Sequence, residues 1–310
     1  MTARQRFLKT ANALFVLFLL IQFLPDRISK DSAVVYSIVF GCALEAILLI
    51  VSATAKSRQK LNVFADIISV IYIVLIAWTL ASAKFNILRE MLFPPPGVVF
   101  KQFIEDTLGE KHQVLTHVGS SLALIVNGYL LGIIFAVPLG LLFGYSVRAG
   151  NAATYISKFL ASIPPVVYIP YGIALLPTFR SVSVMVIFLA TFWPVFAGTI
   201  AGVLYTERKY IDAAQVFGSG KLRILFTVVL PGALPQIFTG CNQGLSVSFI
   251  LLTSAEMIGA RSGMGYYVKN YSDLGNYTRT IVGVLLIGVV ISAVFALFNK
   301  LQKRLLRWKV

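Results

Sequence analysis

Gly218-Ser219-Gly220-Lys221 is the stretch of this chain that most looks like a phosphate cradle. A nucleotide-binding loop needs G-x-x-x-x-G-K-[ST], in which backbone N–H groups close on the phosphates and the hydroxyl holds Mg²⁺. Here position 215 is Gln, Leu222 brings no hydroxyl, and the residues before the loop do not read as a strand. ATP is not bound by this route, so ATP and Mg²⁺ chemistry would belong to another subunit. Other chemistries are as poorly supplied. The histidines are His112 and His117 in one loop, and Cys42 and Cys241 both fall in apolar runs as packing residues. No metal or redox site is indicated. Carboxylates in apolar surroundings are limited to Glu45, Asp66 and Glu256, few for a proton relay. With no histidine in a predicted span, an intramembrane Ser/His/Asp enzyme lacks its base.

The elements that must position these residues are membrane helices. Of 310 residues 58% are hydrophobic and 13% charged, with a mean hydropathy of +0.84; a soluble domain carries about a quarter charged residues. The composition therefore indicates an all-α polytopic membrane protein. About 20 apolar residues cross a hydrocarbon core, and eight runs qualify, near 8–25, 33–54, 63–83, 118–145, 154–176, 182–204, 232–256 and 280–299. Arg4, Arg6 and Lys9 before the first run resemble a signal peptide, but Pro25-Asp26-Arg27 replaces a small-residue cleavage site, so the run is read as an uncleaved span. With the N-terminus inside, 17 lysines and arginines fall in cytoplasmic segments and 10 outside. The net charge of +15 is thus a topology signal, with both termini cytoplasmic and the Lys300, Lys303, Arg304, Arg307 and Lys309 tail its strongest element. No nucleic-acid partner is implied.

Breakers mark the spans that line an interior. Pro164, Pro165 and Pro170 interrupt 154–176, and Gly232, Pro235, Gly240 and Gly244 punctuate 232–248. Such residues persist where neighbouring helices or water satisfy the freed backbone groups. The Gly128–Gly132 and Gly140–Gly144 pairs suit close helix packing. Phe93-Pro94-Pro95-Pro96-Gly97 is a stiff break before an amphipathic segment from Val98 to Leu108. Between two spans, on the side predicted inside, lies a basic polar stretch at about 205–230. Thr206 is expected to N-cap a helix beginning at Glu207, Gly218 to end it in the left-handed region, and a second short helix to run from Ser219 or Gly220 to Val229, where Leu230-Pro231 breaks it. Ala213 and Ala214 would leave one side of the first helix without bulk. Asp212 offers an acceptor, with Lys209, Lys221 and Arg223 as donors at the rim.

Asp212-Ala213-Ala214, three residues, Gly218, nine residues, Val228, one residue and Leu230-Pro231 resembles the cytoplasmic signature of bacterial ATP-binding-cassette (ABC) importer permeases, with Asp for Glu and Val for Ile. Phe93-Pro94-Pro95-Pro96, Leu230-Pro231-Gly232-Ala233-Leu234-Pro235, Ala255-Glu256-Met257-Ile258 and Ser262-Gly263-Met264-Gly265-Tyr266 are similar to segments of the nitrate, sulfonate and taurine branch. The resemblance implies a six-helix permease core over 61–310 preceded by two extra, accessory spans in 1–60, whose role is anchoring, a lipid contact or a subunit contact. It implies cassette ATPase subunits that hold ATP and Mg²⁺, a second permease copy forming a homodimer, and an extracytoplasmic solute-binding protein. Asp212, Ala213, Ala214, Gly218, Leu230 and Pro231 would form the ATPase-coupling loop.

The expected protein is therefore not an enzyme but the permease subunit of an ATP-driven importer in the bacterial cytoplasmic (inner) membrane. Its cargo, moved by alternating access, would be a sulfonate, taurine or nitrate-like anion, bicarbonate or a vitamin precursor. The alternative is a secondary transporter driven by an ion gradient. Candidate pathway residues are Asn127, Tyr129, Asn242, Gln243, Ser246 and Glu256, with Ser248 beside them. For Asn127, Tyr129 and the 242–248 set, an interhelical hydrogen bond is the equal alternative; for Glu256 it is an interfacial pair with Arg261. Glu45 reads as paired or snorkelling, and Phe192-Trp193-Pro194 as packing.

Overall fold

The computed structural model describes residues 3–26, 33–54, 58–85, 87–89, 91–109 and 113–307; His112 and Lys309 lie outside them. Every regular element among these residues is helical. The helices are α1 (Ala3–Gln22), α2 (Val34–Thr54), α3 (Arg58–Thr79), α4 (Pro96–Leu108), α5 (Gln113–Gly144), α6 (Val147–Ala161), α7 (Tyr168–Leu175), α8 (Phe179–Leu204), α9 (Arg208–Val216), α10 (Lys221–Ile224), α11 (Leu230–Gly259), α12 (Met264–Asp273) and α13 (Tyr277–Leu305). Two π turns, Leu80–Lys84 and Leu225–Val229, extend α3 and join α10 to α11.

Among the described residues six helices are long and apolar enough to cross a membrane: α2, α3, α5, α8, the joined Lys221–Gly259 and α13. The run expected at 154–176 is not a straight span. It is α6 followed by Pro165–Leu175, bent by 64°, because Pro164 and Pro165 supply no N–H to carry the helix ladder on. In α1 only Thr10–Gln22 is apolar, short of the roughly 20 residues a crossing needs. The expected count of eight spans is not confirmed. His117, expected in a loop, lies within α5.

Two compact units are distinguishable, residues 1–113 with 270–284, and residues 114–269 with 285–310. This division does not follow a cut at residue 60, since α3 and α4 pack with α1 and α2. In the first unit Phe18, Leu48, Ile68 and Tyr72 are buried where α1, α2 and α3 meet. Glu45 is paired as expected, accepting from the Tyr72 hydroxyl at 3.1 Å. Lys84, 5% exposed at its side chain, binds Asp26 at 2.6 Å and the carbonyl of Leu24, so it closes the end of α1. Pro95 and Pro96 start α4 as the proline run predicts: Pro96 occupies a first-turn position where no N–H is required. Its Asp106 is held by Arg279 through two bonds of 3.1 Å.

The second unit is organised around α8. On one side α5 presents Gly128, Gly132, Gly140 and Gly144 to Ile187, Thr191, Thr199 and Val203, so close that any Cβ on these glycines would fall 2.5–2.8 Å from a side-chain carbon of α8. On the other side α11 meets α8 backbone to backbone: a Cβ on Gly240 would lie 2.5 Å from the Pro194 carbonyl oxygen, and one on Gly202 would lie 2.8 Å from that of Ala233. Small residues serve this purpose in membrane helices, where close packing replaces the water-driven burial of soluble cores. Phe188, Phe192 and Phe196 stack at centroid spacings of 5.6 and 5.5 Å, with Trp193 edge-on to Phe192, which is the packing role expected of Phe192-Trp193.

Gly240→Ala should lower the stability of the detergent-solubilised protein by about 1–3 kcal/mol, since backbone atoms cannot give way. Gly288→Ala, where a Cβ meets nothing within 4 Å, should be neutral or slightly stabilising. Equal thermal unfolding of the two variants would contradict the close-packing account.

Candidate functional site

The polar stretch after α8 folds into a helix with a tightly closed end. Thr206 does not cap it: its hydroxyl donates back to the Gly202 carbonyl at 3.0 Å, and Glu207 takes the N-cap position instead. Helix α9 then ends in the αL turn expected at Gly218, whose φ is +74°. The Ser219 N–H reaches the Ala214 carbonyl at 3.0 Å and the Gly218 N–H reaches Gln215 at 2.8 Å. These are the two bonds of a Schellman cap, which satisfies carbonyls that a helix end otherwise leaves bare. A Cβ on Gly218 would meet nothing within 4 Å, so the glycine is needed there for its backbone and not for space.

Successive helical residues point about 100° apart, and this divides the Asp212-Ala213-Ala214 triplet. Ala214 and Ile211 pack inward onto the α8–α11 core, while Asp212 and Ala213 are exposed. The expectation that both alanines form one bare side is corrected: Ala213 alone faces out. Sequence reasoning also passed over Val216 and Phe217, which stand 85% and 87% exposed at the tip. Two apolar side chains on a polar loop are the signal that could have found them. Lys209 pairs with Glu207 and lies 4.9 Å above the Tyr210 ring; the hydrogen bond to Glu207 raises the lysine pKa above its ordinary value, with the Glu207 charge and Tyr210 adding to it. Asp212 also borders a cavity of about 260 Å³ with Arg208, Gln215 and Tyr145.

Leu230-Pro231 does not break the following helix, contrary to expectation. The π turn Leu225–Val229 delivers the Leu230 N–H to the Leu225 carbonyl, and Pro231 falls at a first-turn position of α11. Widening by one residue lets the helix pass a proline that has no N–H to give. Lys221–Gly259 is therefore one continuous rod from the polar loop through the apolar span. Leu225, Val228 and Leu230 pack on the core that also receives Ile211 and Ala214.

The candidate pathway residues do not form one surface. On α11, Gln243 and Ser246 are exposed, in line with Gln236 and Thr239 at spacings of three and four. Thr239 and Ser246 satisfy their hydroxyls on the carbonyls four residues back. The Gln236 and Gln243 amides have no partner among the described residues. Amides left bare against lipid are costly, so this stripe belongs against water or another protein. Asn242 is half-buried, with Oδ1 fully covered and unpartnered. Tyr129 makes the interhelical bond foreseen as its alternative, donating to the Cys241 carbonyl at 2.9 Å. Ser248 does likewise with Thr191 at 2.9 Å. Asn127, about 200° around α5 from Tyr129, opens onto a separate groove beside α8.

Glu256 is 1% exposed and faces neither solvent nor Arg261. Its Oε1 accepts from the Ser121 hydroxyl at 2.6 Å and its Oε2 from the Gly265 N–H at 2.8 Å. Ser121 in turn accepts from the Met264 N–H at 2.8 Å, so the carboxylate closes the first turn of α12, where negative charge is favourable. Gly263, at φ +123°, passes so close that a Cβ would lie 2.2 Å from Oε1. His117 sits beside this knot, accepting from the Gly263 N–H at 3.2 Å between the rings of Tyr266 and Tyr267.

The family described as binding-protein-dependent transport system inner membrane component matches residues 128–308. That range begins within α5 and takes in α8, the polar loop and α11. The taurine transport system permease protein TauC of Escherichia coli (strain K12) is 28% identical over 240 residues, covering 74% of this chain and 84% of that protein. The nitrate import permease protein NrtB of Leptolyngbya laminosa is 28% identical over 182 residues, 59% of this chain and 65% of that protein. A chain from inward-facing conformations of the MetNI methionine ABC transporter aligns with a TM-score of 0.53 at 18% identity, over 62% of this chain and 96% of that chain. This last likeness is one of fold.

Ser121→Ala strips the Met264 N–H of its acceptor and the Glu256 carboxylate of a donor. Leaving such buried groups unsatisfied costs about 1–3 kcal/mol. Thermal stability should fall accordingly and proteolysis around residues 260–264 should quicken; unchanged values for both would show that the knot holds nothing.

Proposed function

The chain belongs to the family of binding-protein-dependent transport system inner membrane components and is a permease subunit of an ABC importer, and from that premise we propose that it carries a small anion across the cytoplasmic membrane by alternating access. The observation that carries the reading is the Schellman-closed loop. Asp212 and Ala213 of the signature and the neighbouring Val216 and Phe217 are presented outward, while Ile211 and Ala214 seat the same helix on the membrane core. In this reading the loop docks in a groove on a separate cassette ATPase, which binds ATP and Mg²⁺; Gly218-Ser219-Gly220-Lys221 lacks the residues to do so itself. Leu230 and Pro231 pass the motion on into α11.

A second copy of the chain would face the Gln236–Ser246 stripe, with the solute path between the two copies. The stripe supports this because its unpartnered amides are unsuited to lipid. Gln243 and Ser246 are its candidate solute contacts, with Asn242 half-buried beside them; Tyr129 and Glu256 serve as supports, and Asn127 stands apart. The cargo class is a sulfonate, taurine or nitrate-like anion or a vitamin precursor, the anion being supported by relatives named for taurine and nitrate. An extracytoplasmic solute-binding protein would deliver it. The basic bias of those segments supports cytoplasmic placement of the loop and of both termini. α1 and α2 would be accessory to the six-helix core, and counting α1 and the bent pair as spans gives the eight-span topology. The ion-gradient alternative finds no support.

ATP-driven closure of the ATPases would favour one of two arrangements of the permease pair, by differential contact with the loop. Gly218→Val forces a branched residue into the left-handed region at a cost of about 1–2 kcal/mol. Solute uptake should fall about ten-fold with membrane insertion intact, and Gly218→Asn should retain most of it, asparagine tolerating that conformation. Normal uptake by the valine variant would overturn the coupling assignment. Gln243→Leu should lower uptake several-fold without loss of ATPase copurification; wild-type uptake would remove the stripe from the pathway.

A further inference from the structure

The groove that receives Asn127 has an internal order. It measures about 510 Å³ and runs between α5 and the start of α8, with Arg180 and Asn127 as its polar residues of interest and Leu131, Val184 and Phe188 among its walls. The two helices are parallel and in constant register, each α5 glycine meeting the α8 residue 59 places later: Gly128 with Ile187, Gly132 with Thr191, Gly140 with Thr199 and Gly144 with Val203. At 1.5 Å per residue, Asn127 then lies about 9 Å below Arg180, and Phe188 and Leu131 about 12 Å below it or deeper. Cation, amide and the deeper wall of Phe188 and Leu131 follow one another along the helix axis, with Val184 about 6 Å below Arg180 and so level between cation and amide.

The polar groups at the top are available. Thr178 and Ser181 are occupied with each other, their hydroxyls 2.8 Å apart, and Thr178 Oγ1 also accepts from the Ser181 N–H. Arg180 is exposed and has no ion pair or hydrogen bond among the described residues, and neither does the Asn127 amide. The surroundings exclude a watery route: the exposed side of α5 continues through Leu130, Ile134, Phe135 and Leu142, all of them apolar. A guanidinium is the side chain best matched to a phosphate diester, and a surface of this kind lies against acyl chains.

We propose that this groove binds one anionic phospholipid. Its phosphate sits at Arg180, a glycerol ester carbonyl receives the Asn127 amide, and an acyl chain lies along Leu131 and Phe188. The spacing of about 12 Å and more between the cation and the wall of Phe188 and Leu131 is that of headgroup and upper chain, and the charge complementarity selects an anionic over a zwitterionic lipid. The site rests on the membrane-embedded fold and not on the identity of the transported solute.

The test uses the intact importer, delipidated in mild detergent and titrated with phosphatidylglycerol or phosphatidylcholine, with bound lipid counted by native mass spectrometry. Phosphatidylglycerol should be retained in preference, about ten-fold, at one tight site per copy of the chain. Arg180→Gln should abolish that preference, Arg180→Lys should keep most of it, and Leu131→Trp, which fills the groove, should reduce retention of both lipids. Arg148→Gln, a basic residue outside the groove, should change nothing. Equal retention of the two lipids by the wild-type protein, or undiminished preference in Arg180→Gln, would overturn the proposal. So would displacement by glycerol phosphate at the lipid's own concentration, which marks a solute site, or a disulfide between two copies carrying Leu131→Cys, which marks a protein interface.

Discussion

Helices in lipid gain nothing from hiding apolar side chains from water, so what fixes this transport core is how closely its backbones can approach. Helix α8 is where that constraint is met twice. Its Ile187-to-Val203 side is filled by a four-glycine stripe of α5, and its Pro194-to-Gly202 side touches the α11 backbone directly. Backbone atoms that meet, as those of α8 and α11 do, cannot adjust as side chains can, and the α5 glycines leave the β-branched side chains of α8 no room, which favours α5, α8 and α11 moving as one body. Helix α9 rests on that body through Ile211 and Ala214, and the π turn makes α10 and α11 one rod. A push on the loop would therefore reach the span, the helix running unbroken through Leu230-Pro231.

The same packing sorts the polar residues. Three of those aimed between helices are tied up in structure: Tyr129 on the Cys241 carbonyl, Ser248 on Thr191, and Glu256 on Ser121 and Gly265. Those aimed outward from α11 keep their amides bare, as Gln236 and Gln243 do. A pathway residue has to release its ligand, so groups already satisfied within the protein are the weaker candidates. Glu256 has instead the bonding of a fastener, joining α5 to the turn that leads into α12.

Local chemistry was legible in the sequence and three-dimensional direction was not. Gly218 could be read as a left-handed helix end because only its residue type suits that conformation, and its φ of +74° agrees. The paired glycines of α5 and the proline start of α4 were legible for the same reason. Misreadings arose where a neighbour decided the outcome. Thr206 found the Gly202 carbonyl within its own helix before it could cap the next one. Ala214 turned inward because Ile211 did, and Pro231 was accommodated by a π turn that no single residue announces. The broken 154–176 segment carried its warning in Pro164-Pro165, which bent the helix pair by 64°. The separation of Asn127 from the α11 stripe depends on the register of α5 against α8, which periodicity within one helix cannot supply.

The central claim is that the loop closed by Gly218 is the surface on which a separate ATPase acts. Phe217, 87% exposed beside that turn, gives the most direct access to it. A photo-crosslinking amino acid placed at position 217 in the intact importer should attach to the copurified ATPase subunit, with a yield that changes when ATP is bound and hydrolysis blocked. Crosslinks to lipid or to another copy of the chain alone, with the ATPase present and unlabelled in both nucleotide states, would contradict the account.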